Sequence, residues 1–154
     1  MLIARPYILG DEQRIAFRPA DERECFAAGG HTCAESISLA ARAGAEVTTA
    51  YDDRSGLPVL FFGCTPCEEQ PHVGFVWMLA SPAMREHARQ FIRECHQWLD
   101  GFHRKTPLLT NCVDARNTLH LSWLKRVGFE ITRLIPDWGH ERRPFYEFVR
   151  LRHV

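Results

Sequence analysis

The sequence predicts one α/β domain spanning residues 1–154, built on a mixed β-sheet with helices on both faces. Three observations predict it. Apolar segments fall in the order strand, helices, three strands, helix, strand, helix, two strands. Three adjacent strands with no helix between them require an antiparallel meander, and a strand–helix–strand run requires parallel pairing across a right-handed crossover. The 154 residues, 45% hydrophobic and 25% charged, suit a single packed core rather than a disordered chain.

The elements follow in order. Met1 to Leu9 is apolar and reads as a strand, and Gly10-Asp11 turns into a short helical stretch, Glu12 to Phe17. Pro19 to Ala28 reads as a helix closed by Gly29-Gly30. Thr32 is placed to cap a further helix ending near Gly44, with Ile37, Leu39, Ala40 and Ala41 on one buried face. β-Branched residues make Glu46 to Tyr51 a strand, Asp52 to Gly56 has the composition of a hairpin turn, and Leu57 to Cys64 is the return strand. Thr65 to Pro71 reads as a polar loop and His72 to Ala80 as a nearly continuous apolar strand. Ser81-Pro82 signals a helix start, with serine as the cap and proline at the first helical position. Met84, Ala88, Phe91, Ile92, Cys95, Trp98, Leu99 and Phe102 then recur at helical spacing. Leu108 to Val113 is a strand, and a helix opening at Asp114 or Ala115 runs to Val127 and stops at Gly128. Phe129 to Ile135 is a strand, Pro136 to Pro144 a loop, and Phe145 to Leu151 the last strand.

Charge narrows the function classes. Nineteen basic residues offset nineteen acidic ones, so no net field draws the chain to nucleic acid or an anionic membrane. The cluster Arg142, Arg143, Arg150 and Arg152 is interrupted by Glu147 and reads as a solvated face. No apolar run is long enough to cross a bilayer, and no signal peptide is expected from the N-terminus. The six cysteines are expected to be reduced thiols. Cys64-Thr65-Pro66-Cys67 has zinc-ligand spacing that His31 and Cys33 could complete, but no second Cys-x-x-Cys pair accompanies it, so no metal is expected.

Asn111-Cys112-Val113-Asp114-Ala115-Arg116-Asn117, followed by His120, Trp123, Leu124, Gly128 and Phe129, resembles the segment of the GNAT acyltransferase fold where a strand ends and an asparagine opens a helix that Gly-Phe closes. Arg18-Pro19-Ala20-Asp21 with Glu24, Phe62-Gly63, Trp77-Met78-Leu79, the Trp123 to Phe129 run and Phe145 with Glu147-Phe148 together resemble the internal virion protein family of short-tailed phages, itself GNAT-like in fold. The resemblance implies that acetyl-coenzyme A would lie in a gap between His72–Ala80 and Leu108–Val113. Met78 and Leu79 would meet its acyl arm, Arg85 and the following helix start its phosphates, Asn117 its arm, and Trp123 its thiol.

Two departures bear on that site. The family's phosphate loop carries glycines so that backbone N–H groups can approach phosphate, whereas Ser81 to His87 has none, and Pro82 removes a donor. Trp123 stands where many GNAT enzymes have tyrosine, and an indole N–H is no useful acid. Asp114 and Cys112 remain the polar candidates near the strand end, with Asp114 a carboxylate able to deprotonate an amine. Trp77 and Trp123 also suit core packing, Asn117 a plain helix cap, Asp21 and Glu24 exposed helical acids, and His120 an ordinary helix-face residue.

The resemblance therefore implies a GNAT-fold protein of the virion or host cytoplasm, acting in assembly or host interaction with other phage or host proteins and without efficient catalysis. The alternative is an acetyl-coenzyme A-dependent N-acetyltransferase.

Overall fold

The computed structural model describes residues 1–153. Seven strands form one sheet: β1 (Leu2–Pro6), β2 (Glu46–Asp52), β3 (Pro58–Pro66), β4 (Val73–Ala80), β5 (Leu108–Asp114), β6 (Glu130–Trp138) and β7 (Arg143–Leu151). Four helices join them: α1 (Pro19–Gly29), α2 (Cys33–Arg42), α3 (Met84–Lys105) and α4 (Thr118–Arg126). The strand order is β1-β2-β3-β4-β5-β7-β6. β1 to β4 form the antiparallel meander, β4 and β5 pair in parallel across α3, and the β6–β7 hairpin adds to β5 antiparallel.

Strand alternation sorts the apolar side chains into two cores. Leu60, Phe62, Val76 and Ala80 turn to one face and pack with Met84, Cys95, Leu99 and Phe102 of α3 and Leu124 of α4. Phe61 and Leu79 turn to the other and pack with Cys33 and Ile37 of α2. The sheet is thus covered on both sides, which lets β3 and β4 be apolar almost throughout.

Several boundaries differ from the sequence expectation, each for a local reason. β1 stops at Pro6, which has no N–H for the ladder. The helical stretch after it is only a 3-10 turn, Asp11–Gln13, because Ile15 and Phe17 turn down into the second core. In α2, Cys33, Ile37 and Ala41 share the inner face, and Leu39 lies about 200° round the helix from Ile37, 46% exposed. Thr32 does cap this helix, in a reciprocal pair with Glu35.

β3 runs on through Thr65 and Pro66, pairing with Phe75 and Gly74 of β4. Proline is tolerated there because β2 has already ended, at the Glu46–Cys64 pair. Pro136 likewise sits in the edge strand β6, at a register break before Trp138, so the predicted loop shrinks to residues 139–142. Ser81 does not cap α3: residues 81–83 form a turn, the cap is Ala83, and the Ser81 hydroxyl is buried without a hydrogen-bond partner. α4 begins at Thr118 rather than at Asp114 or Ala115, since Asp114 still pairs with Phe145 of β7.

The β6–β7 turn is fastened to the end of α1. His140 and Glu141 donate backbone N–H groups to the carbonyls of Ala28 and Ala27, at 3.1 and 3.0 Å, satisfying two acceptors that the helix end leaves free. Phe26 packs edge-on against the His140 ring. Gly139 makes this approach possible: its φ is 78°, and a Cβ there would lie 2.6 Å from the Ala27 carbonyl oxygen. Gly139→Ala is expected to cost about 2–4 kcal/mol, from left-handed strain plus overpacking, and to lower the thermal unfolding midpoint. Gly44→Ala, where a Cβ meets nothing within 4 Å, should show only the backbone part of that loss.

Candidate active site

β4 and β5 pair only at Val73–Leu108, Gly74–Leu109 and Phe75–Thr110. Beyond that point β4 runs on to Ala80 and β5 to Asp114 without meeting. Asn111 stands where they separate. Its amide donates to the Val76 carbonyl at 3.0 Å, and its side-chain oxygen accepts from the Cys112 N–H at 2.8 Å. One side chain thus takes up backbone groups that a continued ladder would have paired.

The far ends are held by α1. Asp21 Oδ2 accepts the Ala80 N–H at 2.9 Å, and Glu24 Oε1 accepts the Asp114 N–H at 2.7 Å. The backbone N–H of Arg18 donates to the Ala80 carbonyl at 2.8 Å. Because Asp21 and Glu24 are three residues apart, they lie on one face of the helix, each aimed at a different strand. Asp21 is 2% exposed, and burial pushes its carboxyl above the usual range against the pull of the Ala80 N–H and Arg18. Val76 and Ala80 both turn their backbone groups toward the gap, so strand alternation turns the N–H of Met78 into it as well.

Two clefts open on either side of this gap. The first, of about 630 Å³, lies between the start of α1, the start of α3 and α4, and is lined by Arg18, Arg23, Ser81, Arg85, Leu119 and Trp123 among others. The second, of about 490 Å³, lies between α1, α2 and the sheet, with Glu24, Cys25, Phe75, Asn111, Cys112 and Trp138 in its wall. Met78 and His120 line both. His120 is 9% exposed, and its Nδ1 has no hydrogen-bond partner; the nearest carboxylate oxygen is Glu24 Oε2, at 3.7 Å.

The start of α3 has no glycine, and its backbone donors are largely engaged. Turn bonds commit the N–H groups of Met84, Arg85 and Glu86 to the carbonyls of Ser81, Pro82 and Ala83, and Ser81 N–H goes to Val59. Pro82 has no N–H, so Ala83 alone keeps a donor there. What the first cleft offers instead is side chains, the guanidinium groups of Arg18, Arg23 and Arg85.

Of the residues singled out from sequence, Met78, Arg85 and Trp123 line the first cleft and Leu79 the second. Trp123 stacks on Phe91, with ring centroids 4.7 Å apart and planes at 18°. Asp114 and Asn117 line neither. Asn117 caps α4 by accepting the His120 N–H at 3.4 Å, and its amide reaches Asp21 at 3.4 Å. Asp114 is 2% exposed and takes three hydrogen bonds from the Arg116 side chain, of 2.8 to 3.2 Å. Burial pushes its carboxyl up, but those bonds outweigh burial and leave it below the usual carboxylate range. Cys112 lies in the second cleft, where burial pushes its thiol up to about 11.

Asp21 and Glu24, read from sequence as exposed helical acids, are instead enclosed, as is His120, read as an ordinary helix-face residue. The helical spacing of Asp21 and Glu24 was the available signal for their shared face. Cys64 is buried in β3 and Cys33 lies against Cys25, with sulfurs 3.5 Å apart, so the four-ligand zinc set does not assemble. Among the described residues no three His, Cys, Asp or Glu side chains are grouped to hold a metal ion.

No family model matches the chain, and no curated protein matches it in sequence. Solved structures do match in fold. A protein provisionally named a phosphinothricin N-acetyltransferase superposes with a TM-score of 0.73 at 13% identity, over 100% of both chains. A GCN5-related N-acetyltransferase from Kribbella flavida gives 0.69 at 18% identity over 97% of each chain. A GNAT family acetyltransferase from Elizabethkingia anophelis with acetyl-CoA bound gives 0.65 at 12% identity, again over 97% of each. The chain therefore has the GNAT acetyltransferase fold. The resemblance to phage internal virion proteins finds no support in these comparisons.

The state of Asp114 has a measurable consequence. Its lowered native pKa stabilises the fold above the unfolded value near 3.8, and that stabilisation is lost as pH falls through the native value. Asp114→Asn is expected to cost about 1–2 kcal/mol at neutral pH, since the partly exposed Arg116 and Arg143 that lose their partner can turn to solvent. Urea unfolding from pH 6 down to pH 2 should show the variant's deficit shrinking over the acid end of that range.

Proposed function

We propose that this chain is an acyl-coenzyme A-dependent N-acyltransferase, with acetyl-coenzyme A as its donor. The observation that carries this reading is that two clefts approach from opposite sides of the parted strands and share Met78 and His120 as a common wall.

The first cleft fits the coenzyme by chemistry. Arg18, Arg23 and Arg85 supply positive charge for phosphates, and Arg23 and Arg85 form no ion pair among the described residues. Guanidinium forks suit phosphate bidentately and replace the backbone donors that the turn at 81–86 consumes. When bound, the thioester supplies an acyl carbon open to attack by an amine. The chain's own contributions are a donor and a proton acceptor. The Met78 N–H, turned into the gap, can polarise an acyl oxygen. His120, backed by the Glu24 carboxylate, can take the amine proton, a role for which Asp114 is unsuited because Arg116 occupies its oxygens.

The consumed N–H groups at the start of α3 favour a second reading, in which the coenzyme site is reduced and the fold serves to bind other phage or host proteins, as the sequence resemblance implies.

Calorimetric titration separates the two. Acetyl-coenzyme A is expected to bind with measurable heat, and Arg23→Ala and Arg85→Ala should each weaken it roughly threefold to tenfold, more at low salt. No heat at millimolar ligand would leave the second reading standing. In a thiol-release assay with an accepted amine, Glu24→Gln should lower kcat/KM by about 10²- to 10⁴-fold while leaving coenzyme affinity near that of the parent.

A further inference from the structure

We infer that the acceptor taken by the second cleft is a primary amine carrying an apolar, aromatic-sized body and no anionic group beside the nitrogen. This rests on the acyltransferase reading above and adds the substrate class to it.

The first argument is the segregation of charge. Three arginines line the coenzyme cleft, whereas no arginine or lysine lines the other. Among the described residues its only acidic side chain is Glu24, beside His120. Glu24 Oε1 is committed to the Asp114 N–H, but Oε2 accepts no hydrogen bond among the described residues. A carboxylate with one open oxygen attracts an ammonium group. A substrate carboxylate brought into the same cleft would lose its water, meet no lining arginine or lysine, since Arg133 near Cys112 is paired with Glu147, and face Glu24.

The second argument is the state of the polar groups in the wall. Thr65 Oγ1 accepts from the Trp77 indole at 3.2 Å, and Ser36 Oγ donates to the Thr32 carbonyl at 2.9 Å. Both functional atoms of Asn111 are used on Val76 and Cys112. The donors that remain are neutral ones, the Thr65 O–H, a second Asn111 amide N–H and the thiols of Cys25 and Cys112, so the wall offers a carboxylate no charged partner.

The third argument is shape. Phe75, Trp77, Trp138 and Phe148 come from the sheet, and small Ala28 and Ala40 from the helices. Flat aromatics opposite small residues make an apolar slot, and about 490 Å³ falls in the range that holds a small organic ligand.

In the reaction, the ammonium first yields one proton to His120, with Glu24 behind it, and His120 passes that proton to solvent. The lone pair of the neutral amine then forms the C–N bond to the acyl carbon. As the C–S bond breaks, the nitrogen gives up its second proton through His120 to the departing thiolate, leaving a neutral amide and a free thiol. Donor and acceptor are both named, and no electrons change hands.

The test uses the whole chain with acetyl-coenzyme A and three amines: 2-phenylethylamine, ethanolamine and phenylalanine. Thiol release is expected to give 2-phenylethylamine a kcat/KM roughly 100-fold above each of the others. Ser36→Lys introduces a cation into the wall away from Glu24 and His120, and should narrow the gap between 2-phenylethylamine and phenylalanine. Comparable or better turnover of phenylalanine or ethanolamine by the parent would overturn the inference. So would coenzyme binding by a chain that neither binds 2-phenylethylamine calorimetrically nor acetylates it. Absence of coenzyme binding would instead bring down the acyltransferase reading itself.

Discussion

Asp21 and Glu24 accept the N–H groups at the ends of two strands that have stopped pairing with each other. Parting two strands in the middle of a sheet leaves backbone donors facing inward, and each one left buried and unpaired costs about 1–3 kcal/mol. Here the helix that covers the sheet supplies the missing acceptors. Asn111 does the same at the near end, taking the Val76 carbonyl and the Cys112 N–H. The gap is therefore an assembled feature whose backbone is satisfied at both ends. Asp21 carries this out although burial raises the cost of its charge.

Everything proposed for the site follows from the gap being open between those fixed ends. Met78 keeps an N–H turned into it because neither Asn111 nor α1 reaches that residue. His120 projects from the first turn of α4, held by the Asn117 cap, and so meets the gap from the side. The clefts differ in character because different elements build them. The first gathers arginines from α1 and the start of α3; the second sets aromatic residues of the sheet against alanines of α1 and α2. One anionic ligand and one apolar cation can then approach a single point from opposite sides without competing for the same charges.

The helix start after β4 illustrates how a fold keeps its geometry while its local chemistry changes. Proline and a run of turn bonds leave almost no backbone donors there. Side-chain guanidinium groups can supply the same charge from a short distance, with less geometric precision than fixed N–H groups.

Much of the architecture was legible in the sequence because it rests on periodicity and local punctuation. The seven-strand order, the Thr32 cap, the apolar stripe of α3 and the glycine stop after α4 all depend on residues close together in the chain. The resemblance to the GNAT fold held for the same reason, since it was carried by strand and helix ends. Strand lengths were less legible: whether Pro66 and Pro136 end a strand depends on which neighbour is still present on their N–H side. The site was least legible. Glu24 and His120 lie 96 positions apart, and Asp21 meets Ala80 across 59 residues, so their meeting depends on how α1 docks across β4 and β5. Residue types alone made Asp114 the natural base, and only the packing of Arg116 over it withdrew its oxygens. Sequence by itself determined the order and kind of the elements, because those are set by near neighbours. The tertiary structure alone decided which carboxylates cap strands, which is neutralised and which faces a cleft, because burial and charge pairing are properties of the assembled sheet and helices.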